Sequence, residues 1–234
     1  MKRPQVVVFD VIETLFSLEP MRPRLQSLGL PANALEVWFA QVLRDAFALT
    51  AASDYKPLEV LAAGQIEGLL AQEERTASAG ELASVMAGMM ELAPHPDIRP
   101  AFETLRQAGV RIFTLSNGSR LQSEKLLKSA GVFDLVEKVL STDDIEIFKP
   151  RRETYEYAAR EASSGAAASD EATIEPSQMA LVAAHAWDVQ GAKHAGLSAG
   201  WVVRREKRYP KAMQSPDVLG DSLPEVVQAL INPA

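Results

Sequence analysis

The chain has 234 residues, of which 47% are hydrophobic, and a net charge of −7, acidic residues outnumbering basic ones; it is long enough for one large domain or a domain with an insert, and its charge argues against a general phosphate-backbone binder, so nucleic acid is not an expected partner. It has no cysteine, which excludes disulfides, thiolate metal sites and a cysteine nucleophile. No stretch approaches the about 20 apolar residues of a membrane helix, and the run from Val6 to Phe9 is too short for a signal-peptide core, so a cytoplasmic enzyme with no membrane contact is expected.

In chain order, residues 5–9 are continuously apolar and mostly β-branched after Gln5, the pattern of a strand buried on both faces of a parallel sheet. From Glu19 to Met90 no convincing strand follows; helices are predicted over residues 34–49, 57–70 and 80–91. Pro94, Pro96 and Pro100 then punctuate the chain. Beyond them, strands predicted over residues 110–115, 138–140, 179–183 and 200–203 alternate with helices over 98–107, 121–129, 154–161 and 189–194. The Ala/Ser-rich stretch 163–169 reads as a surface loop. Alternation of this kind predicts an α/β fold: a Rossmann-like, doubly wound parallel sheet. The inserted all-helical cap is expected over residues 18–93, and the core over 1–17 and 94–234. Ligands of such sheets bind beyond the carboxyl ends of the strands, where Asp10, Ser116 and residues 184–188 fall. A cap above that edge is placed to exclude water.

Four segments there carry candidate chemistry. Asp10 directly follows the first strand and precedes Thr14; it reads either as a carboxylate nucleophile or as the opening of a turn. Ser116, Asn117, Gly118 and Ser119 end another strand. Ser119 and Gln122 fit a capping box, so the segment reads either as an anion pocket at a helix N-terminus or as an ordinary strand–turn–helix link. Lys149, between Phe148 and Pro150, is either a partner that keeps a carboxylate ionised or a snorkelling surface lysine. Asp188 begins a helix after the strand ending at Ala183, as a base, as an orienting group for Lys149, or as an N-cap. His185 beside it is either an acid–base group or structural.

Each segment alone is common. The four in this order and spacing, Phe9-Asp10-Val11-Ile12-Glu13-Thr14-Leu15, Leu115-Ser116-Asn117-Gly118-Ser119, Phe148-Lys149-Pro150 and Ala186-Trp187-Asp188, resemble the haloacid dehalogenase superfamily, and within it the hydrolytic (S)-2-haloacid dehalogenases. The resemblance implies a catalytic set of Asp10, Thr14, Lys149 and Asp188, with Ser116, Asn117, Ile12, His185 and Trp187 around the substrate. It also implies a halide-contacting arginine at Arg44, which follows Trp38, and an active-site tyrosine at Tyr155. Most of the superfamily are magnesium-dependent phosphatases, which carry an acid two residues after the nucleophile to protonate an alkoxide; Ile12 stands there and has no proton to give. The acid that those enzymes use for metal, four residues before Asp188, is here Ala184. Phosphoryl transfer needs a cation against the phosphate, whereas a halide leaves unprotonated. The expectation is therefore hydrolytic dehalogenation of a short 2-haloacid through an aspartyl ester, with no metal or other cofactor. A magnesium phosphatase and a non-catalytic binding protein stand as alternatives. The chain departs from the dehalogenase pattern at Ala183 and His185, where Ser and Asn are usual, and at Ile12, where an aromatic residue is frequent. Related dehalogenases are often dimers, so a homodimer is an expected assembly.

Overall fold

The structure is a computed structural model that describes residues 2–164 and 173–233. The chain opens with β1 (Val6–Phe9) and the two-residue β2 (Phe16–Ser17), then runs through α1 (Met21–Ser27), α2 (Ala34–Ala51), α3 (Leu58–Gln72) and α4 (Ala79–Ala87) to β3 (Ala93–Pro94). There follow α5 (Ile98–Gln107), β4 (Arg111–Ser116), α6 (Arg120–Ser129), β5 (Lys138–Ser141) and α7 (Arg152–Ser164). The last elements are β6 (Met179–Ala183), α8 (Ala186–His194), β7 (Ser198–Val202), β8 (Val218–Gly220) and α9 (Leu223–Ile231).

Six strands form one sheet in the order β5-β4-β1-β6-β7-β8, with every pairing parallel. All four residues of β1 are buried, because it lies in the middle of a sheet covered on both faces. Strand alternation divides the core: Val7 and Phe9 pack with Phe102, Leu126 and Val226 of α5, α6 and α9. Val6 and Val8 point the other way and pack with Ala158 and Val189 of α7 and α8. Each such fully buried side chain contributes about 1.5–3 kcal/mol of transfer free energy. From β1 the chain builds toward β5 on one side and toward β8 on the other, so the end of β1 is the switch point where α/β sheets open a ligand crevice.

Helices α1 to α4 lie in sequence between β2 and β3, and those two strands pair antiparallel, Phe16 with Pro94 and Ser17 with Ala93. The segment thus leaves and rejoins the sheet at one place. Ser78 and Glu81 close a capping box that starts α4. The helix predicted over 80–91 ends at Ala87 and tightens into a 3₁₀ turn over Gly88–Met90; α1 crosses there so closely that a Cβ on Gly88 would lie 2.4 Å from Arg24. Among the described residues no helix is long and apolar enough to cross a membrane.

The elements that went unpredicted are the β2–β3 ribbon, α1, β8 and α9. Their strands are two or three residues long, too short for a periodic signal. The apolar run of α9 is capped by Ser222, whose hydroxyl accepts from Glu225 N–H. Ser163 and Ser164, expected in a loop, continue α7: the Ser163 hydroxyl bonds back to the Ala159 carbonyl, and Ala162 is buried. The rest of that expected loop, residues 165–169, lies outside the described residues.

Candidate active site

Asp10 leaves the end of β1 with its N–H bonded to the Val182 carbonyl of β6, 3.1 Å away. A tight turn follows, in which the N–H groups of Leu15 and Phe16 both return to the Val11 carbonyl. That turn swings the Thr14 hydroxyl onto Asp10 Oδ2 at 2.5 Å, while the same hydroxyl accepts the Ala184 N–H at 2.9 Å. Thr14 therefore links the nucleophile candidate to the end of β6. Glu13, in the same turn, has φ +67°, a conformation unusual for a non-glycine residue and one that clusters at functional sites.

Lys149 is completely buried. Its Nζ donates to Asp10 Oδ1 at 2.8 Å and to Asp188 Oδ2 at 2.6 Å, and its backbone N–H donates to Asn117 Oδ1 at 2.9 Å. One lysine is thus fixed by β1, by the loop after β4 and by α8. The reading of Lys149 as a surface residue fails because Phe148 beside it is also fully buried and carries the chain inward. Tyr155, on α7, donates its hydroxyl to Asp188 Oδ1 at 2.6 Å. Gly191 leaves room for this contact: a Cβ there would meet Tyr155 Oη at 2.5 Å and the Pro150 carbonyl at 2.7 Å.

Two carboxylates and one ammonium share this buried place. Burial alone pulls the Lys149 pKa down, but the charges and hydrogen bonds of Asp10 and Asp188 outweigh it and hold the pKa above its ordinary value. Burial pushes the Asp188 carboxyl up, with the charge of Asp10 adding to the rise and Lys149 and Tyr155 opposing it. The Tyr155 hydroxyl is pushed well above its ordinary range by burial and by Asp188. Each carboxylate oxygen of both aspartates has a donor: Lys149 and Thr14 for Asp10, Lys149 and Tyr155 for Asp188.

Around this centre the structure groups the nominated His185 and Trp187 with residues that the sequence did not nominate. His185 stacks on Trp187, with centroids 5.4 Å apart and planes at 15°, and Lys149 Nζ lies 5.7 Å from the Trp187 ring centroid. Phe39 of α2 reaches to 6.0 Å from the His185 ring, and Phe47 to 5.3 Å from Trp187. Tyr55 also bridges from the helices, bonded to Asp143 after β5. Glu206 holds His185 Nδ1 at 3.3 Å through one oxygen and the Ala186 N–H at 3.3 Å through the other. Glu206 sits in a charged run, Arg204 to Arg208, that reads as a solvated loop; no sequence signal distinguishes it. Glu13, buried and facing Arg205 at 3.6 Å, has its pKa raised by burial against the pull of His185 and Arg205. The positive φ that singles out Glu13 has no signature in a glutamate.

One expectation is corrected. Arg44 is exposed and pairs with its neighbour Asp45 at 2.8 Å. The buried stripe of α2 runs through Leu35, Trp38, Val42 and Ala46, and at about 100° per residue Arg44 falls on the opposite side of the helix. It is Phe39, next to Trp38, that leans over His185. Tyr155 is fully buried, with its hydroxyl on Asp188. Ile12 and Ser116 lie buried at the strand ends, with Ser116 Oγ accepting the Gly118 N–H at 2.9 Å. The capping box at Ser119 is half formed: Ser119 Oγ accepts Gln122 N–H at 3.3 Å, but the Gln122 amide donates instead to the Met89 carbonyl at 2.7 Å. Among the described residues, two buried polar atoms of the site have no hydrogen-bond partner, Asn117 Nδ2 and His185 Nε2. Among the described residues no group of three or more His, Cys, Asp or Glu side chains forms a metal-binding cluster.

Comparison with known proteins gives this geometry a context. Residues 4–196 match the family model described as haloacid dehalogenase-like hydrolase. The chain is 27% identical to (S)-2-haloacid dehalogenase 2 of Pseudomonas sp. (strain CBS-3) over 60% of this chain and 57% of that protein, so it spans less than two thirds of that relative. It is 25% identical to haloacetate dehalogenase H-2 of Moraxella sp. (strain B) over 93% of both chains. The solved L-2-haloacid dehalogenase of Xanthobacter autotrophicus with chloropropionic acid covalently bound superimposes with a TM-score of 0.85, at 20% identity, over 99% of this chain and 100% of that one. At that identity the superposition speaks for the fold.

Proposed function

The chain belongs to the haloacid dehalogenase-like hydrolases, and from that membership we propose that it hydrolyses a short 2-haloalkanoic acid to the 2-hydroxyacid without a metal. The observation that carries the proposal is the buried Lys149 ammonium bonded to both Asp10 and Asp188 at 2.8 and 2.6 Å. The positive charge beside the nucleophile is thus supplied by the protein itself. Apolar Ile12 and Ala184, both buried, stand where phosphatase chemistry calls for acids. The relatives named haloacid and haloacetate dehalogenases support the same reading.

In this mechanism Asp10 attacks the halogen-bearing carbon from behind, the carbon–halogen bond breaks with its electron pair leaving on the halide, and an ester of Asp10 forms. Thr14 and Lys149 hold the carboxylate in position for in-line attack. The substrate carboxylate rests near Ser116 and Asn117, whose Nδ2 is an uncommitted donor. Water then attacks the ester carbonyl of Asp10. Asp188, fixed by Tyr155, takes the water proton, and Lys149 supports the charge that develops; the tetrahedral intermediate then collapses, the ester C–O bond breaks, and the alkoxide takes that proton back from Asp188 and leaves as the 2-hydroxyacid, restoring the Asp10 carboxylate. Configuration at the reacting carbon inverts. The helices of residues 18–93 act as a cap over a core formed by 1–17 and 94–234, a division supported by the β2–β3 pairing where that segment leaves and returns. Closure of Phe39 and Phe47 onto His185 and Trp187 excludes bulk water from the ester.

The test is halide release from (S)- and (R)-2-chloropropionate, chloroacetate and fluoroacetate in EDTA, with Asp10→Asn as control. Release that survives EDTA and disappears in the variant is the expected result. Magnesium-dependent phosphate release from a phosphate ester, with no halide from any of the acids, would overturn it.

A further inference from the structure

No arginine of α2 reaches the site, yet a halide leaving a buried carboxylate cluster needs a positive charge or donor to receive it. Two buried side-chain atoms of the site lack partners among the described residues, and with Asn117 Nδ2 assigned to the substrate carboxylate, His185 Nε2 is left for that task. His185 is buried, and its Nε2 has no partner, an arrangement that costs free energy unless a ligand completes it. Its other nitrogen is anchored on Glu206, which is fixed in turn by the Ala186 N–H at the start of α8. The ring stacks on Trp187 and has Phe39 6.0 Å away. We propose that His185, as an imidazolium oriented by Glu206, donates Nε2–H to the departing halide.

This inference rests on the dehalogenase reading. As Asp10 forms its bond to the substrate carbon, the halide departs with the bonding electron pair and accepts the Nε2–H hydrogen bond; the proton stays on the ring. The charged state matters because of the Glu206 contact. With Nδ1–H donated to Glu206, a neutral ring presents a bare lone pair at Nε2, which repels an anion, and only the imidazolium presents a donor. The groups that act on the ring favour that form: burial opposes the charge, but Glu206, Asp10 and Glu13 together prevail and raise the pKa. Phe39 is the uncharged contact from α2, Arg205 is engaged by Glu13, Glu19 and Glu36, and Lys149 lies beyond Trp187, held by its two aspartates. Glu206 is a positioning residue; His185 touches the leaving group.

The pH profile of halide release from (S)-2-chloropropionate, from about pH 6 to about pH 9.5, separates the outcomes. For the wild type kcat/KM falls as pH rises through the His185 pKa. In Glu206→Gln, which removes a carboxylate that raises that pKa, the fall moves to lower pH. In His185→Gln the rate drops roughly a hundredfold and the falling limb disappears. Halide release that depends on Asp10 but stays flat across this range in the wild type overturns the role of His185 and leaves dehalogenation standing. Should no haloacid release halide, the dehalogenase reading falls, and the anion site is judged by ring NMR of the histidines, assigned with His185→Gln. Addition of chloride then shifts the His185 signals at low pH, less so in Glu206→Gln, if the site exists; signals indifferent to chloride overturn it.

Discussion

Replacing Lys149 with methionine keeps most of the side-chain volume in its buried slot and removes the ammonium that joins Asp10 to Asp188. The structure fixes what is lost: two charge-assisted hydrogen bonds of 2.8 and 2.6 Å at a position with no solvent exposure. Removing one partner of a buried ionic contact costs about 3–5 kcal/mol, because the charges left behind have neither water nor a counter-ion. Asp188, whose carboxyl burial pushes up against the opposing pull of Lys149, then takes up a proton at neutral pH and no longer serves as a base. Losing a preorganised charge beside the reacting groups costs about 2.7–4 kcal/mol of barrier, so halide release at neutral pH should fall roughly a hundredfold to a thousandfold. The sign of the pH dependence follows: the Asp188 carboxyl is pushed further up in the variant, so activity recovers as pH rises and re-ionises Asp188. The assay is the initial rate of halide release from about pH 6 to about pH 10, with circular dichroism to verify that the variant is folded. A folded Lys149→Met enzyme within about threefold of the wild type at neutral pH, or a deficit that is the same at every pH, would refute the argument.

Four further outcomes follow from the same geometry. Thr14→Val removes the hydroxyl shared by Asp10 Oδ2 and the Ala184 N–H; urea unfolding should show a loss of about 1–3 kcal/mol, with Thr14→Ser retaining most of it. Tyr155→Phe frees Asp188 Oδ1 and slows hydrolysis of the ester more than its formation, so intact-protein mass spectrometry during turnover should show more covalent adduct than in the wild type; an unchanged fraction contradicts the fixing of Asp188 by Tyr155. Arg44→Ala should leave halide release within about twofold and stability within about 1 kcal/mol, since an exposed pair contributes little; a large loss of activity would restore the halide role that the resemblance implies. Alkaline stability carries its own sign: the Lys149 pKa is raised above its ordinary 10.5, so its contribution is complete below that value and is lost as pH climbs through the folded pKa. The urea midpoint should hold up to about pH 10 and drop above it, and the drop should be smaller in Lys149→Met.

Much of this was legible in the chain because parallel-sheet strands announce themselves. A run such as Val6-Val7-Val8-Phe9 is apolar on both faces and stops at an aspartate, so the sequence places Asp10 at a strand end without any structure. The ends of β4 and β6 are legible for the same reason, and so is the absence of strands between Ser17 and Ala93. What the sequence could not carry is anything made by crossing between elements. The residues around Lys149 leave it open between a carboxylate's partner and a surface lysine, and only the inward fold of the loop after β5 against β1 and α8 decides between them. Glu206 lies in a run of charges, and only the return of that loop over α8 brings its carboxylate to His185. The misplacement of Arg44 has a simple geometric cause. Nearness to Trp38 in sequence is not nearness on a helix surface: Val42 and Ala46 continue the Trp38 face, Phe39 borders it, and Arg44 turns to solvent.

The central claim is that Asp10 itself is esterified and then hydrolysed at its own carboxyl carbon. Multiple turnovers of (S)-2-chloropropionate in water enriched in oxygen-18, followed by mass analysis of the peptide containing Asp10, test this directly. The account predicts that heavy oxygen accumulates in the Asp10 side chain and passes from there into the product. Product that carries heavy oxygen from the first turnover, with Asp10 left unlabelled, would mean that water attacks the substrate directly and would contradict it.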